Sequence, residues 1–197
     1  MESRIAEGDI YQYFQAEFQP IYADLVVVLG EKPSQITLQI DAAFSHMAVA
    51  HSHPEARELN LQRALGHLQR AALDAAKLLW LHKKRELSAL VEDADIRRFC
   101  TNHPESELLR KYREAERLAI EARRLEVEGV GISPAAAVSK YYDAAIAFTE
   151  ALDLFDRDKL AGFRRFRLGY MLRKHLLGFI VGAVSGVVGT LVAALIF

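Results

Sequence analysis

The 22 residues at the C-terminal end of the chain, residues 176–197, contain no charged side chain. At a helical rise of roughly 1.5 Å per residue they span roughly 33 Å, which is close to the hydrocarbon thickness of a bilayer. A buried core helix is normally shorter and has a polar face, and a signal peptide lies at the N-terminus. The stretch therefore predicts a single transmembrane helix, with the lipid bilayer as its first partner.

A basic segment, residues 157–175, precedes this apolar stretch and contains one acid, Asp158. Lys and Arg accumulate on the side of a membrane helix that is not translocated, and they also attract anionic lipid headgroups. The start of the chain has no basic region followed by an apolar core, so we expect no export. We therefore expect a single-pass protein with a cytoplasmic N-terminal domain. The residues expected at the membrane surface are Arg164, Arg165, Arg167, Arg173 and Lys174.

Small residues recur along one side of the predicted transmembrane helix. Gly178, Gly182 and Gly186 follow each other at four-residue steps, and Gly189 and Ala193 extend the same face. In lipid, hydrophobic burial does not drive helix association, whereas small side chains let two helix backbones approach and pack closely. The pattern predicts a homo-oligomer that assembles through this face. A plain membrane anchor that contains glycines only by composition is the alternative.

The rest of the chain, residues 1–156, has the composition of one globular domain. The full sequence is 51% hydrophobic and 26% charged with a formal net charge of −1, and about 150 residues suffice to bury a single core. This near-neutral balance argues against general nucleic-acid binding by the whole domain. The single cysteine, Cys100, excludes an internal disulfide. We expect three parts: a bundle over 1–156, a basic juxtamembrane segment over 157–175, and a transmembrane helix over 176–197.

Apolar residues recur at three- and four-residue steps along most of the domain, a spacing typical of amphipathic helices. We therefore predict an all-α fold, a cytoplasmic helical bundle followed by a single C-terminal transmembrane helix. The stretch "EDADIRRFCTNHPES" lacks this spacing and is interpreted as a loop. The helices are expected from Asp9 to Gly30 with a kink at Pro20, from a cap at Ser34 to His51, from Pro54 to about Leu90, from Pro104 to Gly129, and from Ala135 to Phe155.

The same spacing predicts which side chains form the core. Alanines in the stripe of the long third helix would let a neighbouring helix approach closely. The expected core residues are Tyr11, Phe14, Phe18, Ile21, Leu25 and Val28 in the first helix, Leu61, Leu65, Leu68, Ala72, Ala75 and Leu79 in the third, and Val138, Tyr142, Ala145, Phe148, Ala151 and Leu152 in the last.

Polar residues form a second stripe along the long helix. Arg63, His67, Arg70, Asp74 and Lys77 recur at intervals of three and four residues, so they share one face. Two interpretations stay open. The stripe is either a solvated side of the bundle or a surface for a ligand or partner, in which Asp74 orients His67 or neutralises the arginines.

The sequence carries none of the common motifs of nucleotide-binding or hydrolytic enzymes. It has no glycine-rich phosphate loop, no Gly-x-Ser-x-Gly turn, no Cys-x-x-Cys pair and no His-Glu-x-x-His. His51 and His53 stand two residues apart at a helix end, but no further cluster of metal ligands lies near them in the sequence. We therefore predict no cofactor and no metal.

One motif in the predicted loop carries a resemblance to a known family. "RRFCTNH" contains Arg98, four intervening residues and His103, and it resembles the Arg-x4-6-His signature of HEPN domains. These are all-α bundles that often act as metal-independent ribonucleases, and "ALGHLQRAALDAAKLL" extends the likeness. The resemblance implies a dimeric site in which His103 handles a proton and Arg98 stabilises phosphate charge. Phe99 departs from the polar residue usual after the family's Arg, so a HEPN-like bundle without catalysis is also open.

A HEPN-like helical domain joined to a membrane helix also resembles the membrane accessory proteins of RNA-targeting CRISPR systems. The resemblance implies assembly in the membrane that compromises the cell envelope after a phage signal, as a defence effector or accessory with a protein or RNA effector as partner. Three hypotheses follow from the sequence. The expected function is an oligomeric protein that forms or gates a membrane pore or lesion; the alternatives are a membrane-tethered HEPN-type ribonuclease and a non-catalytic membrane scaffold.

Overall fold

The computed structural model describes residues 5–129, 133–163 and 165–169 of the 197-residue chain. Within these ranges the structure is helical apart from turns and one antiparallel bridge, between Thr101 and Phe155, which confirms the all-α prediction. Residues 157–163 and 165–169, here called the collar segment, are also helical. The preceding elements are α1 (Glu7–Tyr13), a π-helical turn (Phe14–Phe18), α2 (Gln19–Leu29), α3 (Ser34–Ser52), a 3-10 turn (Pro54–Ala56), α4 (Arg57–Val91), α5 (Ala94–Phe99), α6 (Glu105–Glu128) and α7 (Ala135–Leu152).

A π-helical turn separates α1 from α2 and changes which residues of α1 are buried. Proline has no N–H to donate, and the wide turn that ends just before Pro20 accommodates this missing bond inside a helical stretch. The extra residue of the turn shifts the inward face by one position. Ile10 is therefore buried, and the prediction that Tyr11 faces the core is wrong, because its side chain is 52% exposed.

The turn between α2 and α3 starts at a glycine and ends at a proline. Gly30 adopts φ 72°, and its N–H donates to the carbonyl of Val26 at 2.8 Å, so α2 ends where predicted. The prediction that Ser34 caps α3 is wrong. Ser34 is the first helical residue, and the carbonyl of Pro33 instead accepts the backbone N–H groups of Ile36 and Thr37.

Helix α4 runs through the centre of the bundle and packs against α3 on one side and α7 on another. Four of its alanines, Ala71, Ala72, Ala75 and Ala76, have no exposed surface. Their small side chains let α7 and α2 approach, so that larger residues such as Tyr141, Phe18 and Leu25 complete the core around them. The predicted stripe is confirmed: all six residues are buried except Leu65, which is partly buried.

The prediction of a loop between α4 and α6 is wrong for residues 94–99, which form helix α5. Asp93 caps this helix, because its Oδ1 accepts the N–H groups of Asp95 and Ile96 at 3.0 and 3.2 Å. Ile96 and Cys100 are buried against a second part of the core that includes Phe148. A helix of six residues shows too little periodicity to be recognised in a sequence, whereas its buried residues and cap make it stable in the fold.

In the parts of the chain that the structure describes, no helix is both long enough and apolar enough to cross a bilayer. The predicted transmembrane helix, residues 176–197, lies outside these parts. The glycine face that is predicted to mediate oligomerisation lies outside them as well, with Gly178, Gly182, Gly186, Gly189 and Ala193.

Candidate functional site

The collar segment begins with a cap that also ties it to the bundle. Oδ1 of Asp156 accepts the backbone N–H groups of Asp158 and Lys159, both at 3.0 Å, as an N-terminal cap does. Its Oδ2 accepts a hydrogen bond of 3.1 Å from the amide of Asn102, and its backbone N–H donates to the carbonyl of Cys100. The bonds to its carboxylate, first among them the one from the Lys159 N–H and then the one from the Asn102 amide, lower the pKa of Asp156. The start of the collar segment is thus attached to the loop after α5.

Two further contacts hold the collar segment against α5. The ring of Phe163 stacks on that of Phe99, with 6.4 Å between centroids and 22° between planes. Further along, the guanidinium of Arg167 pairs with the carboxylate of Asp93, the residue that caps α5. The hydrogen bond from Arg167 lowers the pKa of Asp93. One carboxylate therefore closes the start of α5 and binds the collar segment; we call this set of contacts the collar junction.

The outer surface of the collar segment combines cations with large apolar side chains. Arg165 is exposed, and Phe166 and Leu168 are 71% and 57% exposed. Of the residues predicted at the membrane surface, Arg165 and Arg167 are on the described part of the collar; Arg164, Arg173 and Lys174 lie outside the described residues.

Within the described chain, no hydrogen bond or ion pair connects Arg98 with His103. Arg98 is exposed near the end of α5, and its neighbour Arg97 is the one that binds an acid, with Nε 2.7 Å from Oε1 of Glu105. His103 follows in the loop, half-exposed, with Nδ1 at 3.2 Å from a carboxylate oxygen of Glu107. The carboxylate of Glu107 thus holds the imidazole of His103, and Arg98 takes no part in this contact.

The predicted ligand face of α4 divides into two parts. Arg63, His67 and Arg70 line a groove between α3 and α4, where they meet His46 of α3. Asp74 and Lys77 lie further along the helix, where Lys77 Nζ binds Oε1 of Glu126 at 2.8 Å. Burial raises the pKa of Asp74, which Glu126 also raises and Lys77 lowers. Asp74 therefore belongs electrostatically to the Glu126 region and does not orient His67.

Glu126 is the centre of a polar cluster among α4, α6 and α7. Besides Lys77, its carboxylate accepts hydrogen bonds from Arg123 and from the hydroxyl of Tyr141, both at 2.8 Å. Burial alone would raise the pKa of Glu126, but these three bonds outweigh it and lower the pKa to about 2. Burial and the anionic partner together raise the pKa of Tyr141 to about 12. The cluster supplies hydrogen-bond partners to polar atoms between the packed helices, so its role is structural.

No family model, curated protein or solved structure matches the chain. The candidate site is therefore identified from the arrangement of the chain's own residues. Among the described residues, no group of three or more His, Cys, Asp or Glu side chains is arranged to hold a metal ion. His51 and His53 at the end of α3 are exposed, and Nδ1 of His53 lies 3.4 Å from a carboxylate oxygen of Glu55.

Several residues that build these sites were not singled out from the sequence. Asp93 carried a usable signal, because an Asp just before a short stretch such as "ADIRRF" is a typical helix cap. His46 and Glu126 carried none, since each meets its partners on another helix. Phe99 and Phe163 likewise become neighbours only when the collar segment folds back on α5.

We predict that the Asp93–Arg167 ion pair fastens the collar segment. Asparagine caps a helix as well as aspartate does, so Asp93→Asn keeps the start of α5 and weakens only the pairing with Arg167. Limited trypsin digestion of the full chain in detergent should then cut after Arg165 and Arg167 about three- to fivefold faster, as expected for loss of a partly exposed ion pair. Asp95→Asn, in the exposed first turn of α5, is the control, and equal cutting rates in both variants and the wild type would contradict the prediction.

We predict that Glu126 makes folding stability depend on pH in the acid range. Its pKa is lower in the folded state than its ordinary value near 4.5, so its stabilisation is complete above that value and disappears as the pH falls towards 2. Glu126→Gln should lower the free energy of unfolding by about 2 kcal/mol at pH 7 and by much less near pH 3. Chemical denaturation across this range measures both, with the exposed Glu121→Gln as control; a constant difference between Glu126→Gln and wild type would refute the assignment.

We predict that the purified protein does not cleave single-stranded RNA, because the carboxylate of Glu107 engages Nδ1 of His103. The measurement is a nuclease assay on a fluorescently labelled RNA, with wild type, His103→Ala and the exposed control His51→Ala. Cleavage by wild type and by His51→Ala that is lost in His103→Ala would instead establish the ribonuclease.

Proposed function

We propose that this protein is a membrane-anchored, homo-oligomeric helical protein that forms or gates a pore or lesion in the bilayer. The uncharged stretch over residues 176–197 supports the membrane anchor, and its glycine spacing supports the oligomer. The observation that carries the proposal furthest is the collar junction. A segment that leads towards the apolar stretch is capped, stacked and ion-paired against the bundle.

The collar junction favours a gating role over simple tethering. A tether needs only an apolar span and a flexible linker, because the position of the bundle then does not matter. Here the loop after α5 and the cap of α5 both bind the collar segment, so a rearrangement of the bundle end displaces that segment. Coupling of this kind is what a protein needs if a signal at its bundle is to act on helices in the membrane.

The surface of the collar segment supports a position at the headgroups. Exposed arginines near an anionic surface contribute about 1 kcal/mol each, and exposed Phe166 and Leu168 can enter the interfacial region. The excess of basic residues next to the apolar stretch favours a single-pass arrangement with the bundle on the cytoplasmic side.

The biological role that we propose is that of a defence effector or of an accessory to one. It rests on the likeness in architecture to the membrane accessory proteins of RNA-targeting CRISPR systems. In that role a protein or RNA partner would bind the helical bundle and release membrane activity. The membrane-tethered ribonuclease and the non-catalytic scaffold are the alternatives, and they differ from the pore in leaving vesicles intact.

We predict that the glycine face is needed for membrane damage but not for insertion. Gly182→Leu and Gly186→Leu each place a side chain where a neighbouring backbone is expected, yet both make the stretch more apolar. Each variant should remain in the membrane fraction while losing oligomers and leakage of dye from anionic vesicles. Cross-linking, detergent gel filtration and the leakage assay measure these properties.

Val184→Leu is the control for a leucine on another face, because residue 184 lies about 200° around a helix from Gly182, at 100° per residue. It should keep both oligomers and leakage. If all three variants match wild type, the stretch is only an anchor. If wild type causes no leakage under any condition, with or without a bundle partner, the proposed function fails.

A further inference from the structure

A groove between α3 and the N-terminal half of α4 is lined by basic side chains. Its volume is about 460 Å³, within the range of small-molecule sites. Arg63, His67 and Arg70 of α4 and His46 of α3 line it, and no acid is among the lining residues that the structure describes. Gly66 forms part of the lining, and a Cβ added there would meet nothing within 4 Å, so the groove is open above the helix backbone.

Side-chain amides of α4 and α3 hold the two imidazoles of the groove in place. His46 Nδ1 lies 2.9 Å from Oδ1 of Asn60, and the Asn60 amide is itself oriented because its Nδ2 donates to the carbonyl of Ala56 at 2.8 Å. Asn60 is the buried polar residue of this part of the core, at 6% exposure. His67 Nδ1 lies 2.7 Å from Oε1 of Gln39. Amide oxygens only accept, so both Nδ1 atoms donate, and Nε2 is the nitrogen left to each imidazole for a ligand.

The rings of His46 and His67 stack with 5.3 Å between centroids and 17° between planes, which fixes them relative to each other. Burial, then His46 and Arg70, lowers the pKa of His67, which favours the uncharged form of this imidazole. Arg63 and Arg70 are exposed, and neither forms an ion pair with an acid in the described chain. Among the described residues the groove therefore has positive charge without an acidic counter-ion. The Nε2 of His67 donates only after it takes up a proton, which the negative charge of a bound anion favours.

We propose that this groove binds a small phosphorylated molecule, with Arg63 and Arg70 on the phosphoryl oxygens and His67 donating from Nε2. Guanidinium groups match the oxygens of a phosphoryl group with paired hydrogen bonds. The groove is larger than a single phosphate, and Leu59, which is 51% exposed, supplies an apolar wall for the rest of the molecule. The inference concerns a site apart from the collar junction and does not depend on the membrane function.

The composition of the groove favours a small phosphorylated molecule over the other occupants that its histidines permit. A metal cation would meet the two imidazoles but also two arginines and no carboxylate, so its charge would be opposed. A nucleic-acid strand is usually bound by a long basic surface with aromatic rings for its bases, whereas this basic patch is confined to one short groove.

The first test is isothermal titration calorimetry of the full chain in detergent with inorganic pyrophosphate at constant ionic strength. Wild type should bind at one saturable site per chain. Arg63→Gln and Arg70→Gln should each weaken binding by about tenfold or more, which is the expected effect of losing a charge-assisted hydrogen bond in a ligand site. Arg85→Gln, an exposed arginine of the same helix outside the groove, should bind like wild type.

The second test isolates His67 by using sulfate, which stays doubly charged between pH 6 and 8. The charged or titratable groups that face His67 are His46 from α3 and Arg63 and Arg70 from α4. Sulfate should raise the melting temperature of wild type more at pH 6 than at pH 8, relative to chloride at equal ionic strength, because binding is linked to protonation of the imidazole. His67→Gln should lose most of this difference.

Three outcomes would overturn the proposal. The first is no saturable binding of pyrophosphate, and the second is binding that Arg63→Gln and Arg70→Gln leave unchanged. The third is a single-stranded RNA that binds far more tightly than pyrophosphate through the same two arginines, which would make the groove a nucleic-acid surface. An unchanged pH dependence in His67→Gln would remove His67 from the site. None of these outcomes depends on whether vesicles leak, so this inference and the proposed function fail separately.

Discussion

The close approach of α7 and α2 to the alanine face of α4 is the contact on which the rest of the structure depends. Helix α4 has 35 residues and is therefore roughly 52 Å long, and all three parts of the core lie along it. Because Ala71, Ala72, Ala75 and Ala76 are fully buried, larger side chains there would push the neighbouring helices outwards. The basic groove, the Glu126 cluster and the region beside the collar junction occupy successive positions along this one helix.

The sequence predicted the bundle helices well because proline and glycine mark most of their ends, as Gly30 and Pro54 show. It failed where the backbone departs from regular geometry or where an element is short. The π-helical turn before Pro20 adds a residue that no apolar spacing reveals, so the inward face of α1 moved from Tyr11 to Ile10. Helix α5 has six residues, fewer than two turns, and is recognisable only through its Asp93 cap.

The candidate sites were predictable only in part, because spacing shows which residues share a helix face but not what that face meets. Arg63 and Lys77 are separated by two heptads, over which a helix drifts by about 40°, and the neighbouring helix also changes along α4. The first part of the stripe faces α3 and His46, whereas Lys77 reaches Glu126 of α6. Membrane insertion of the apolar stretch and assembly through its glycine face remain predictions from the sequence. The pairing of Arg98 with His103 in a catalytic site also remains a prediction.

The positions of the sites along α4 limit how ligand binding in the groove can act on the membrane. A rigid helix transmits a ligand's effect only if the ligand binds two states of the protein with different affinity. The groove meets this condition if α3 shifts against α4 between those states, because His46 and Gln39 come from α3 while Arg63, His67 and Arg70 come from α4. A shift of α3 alone would not reach the collar segment. Any coupling therefore has to pass along α4 to α5, whose cap, Asp93, holds Arg167 in the collar.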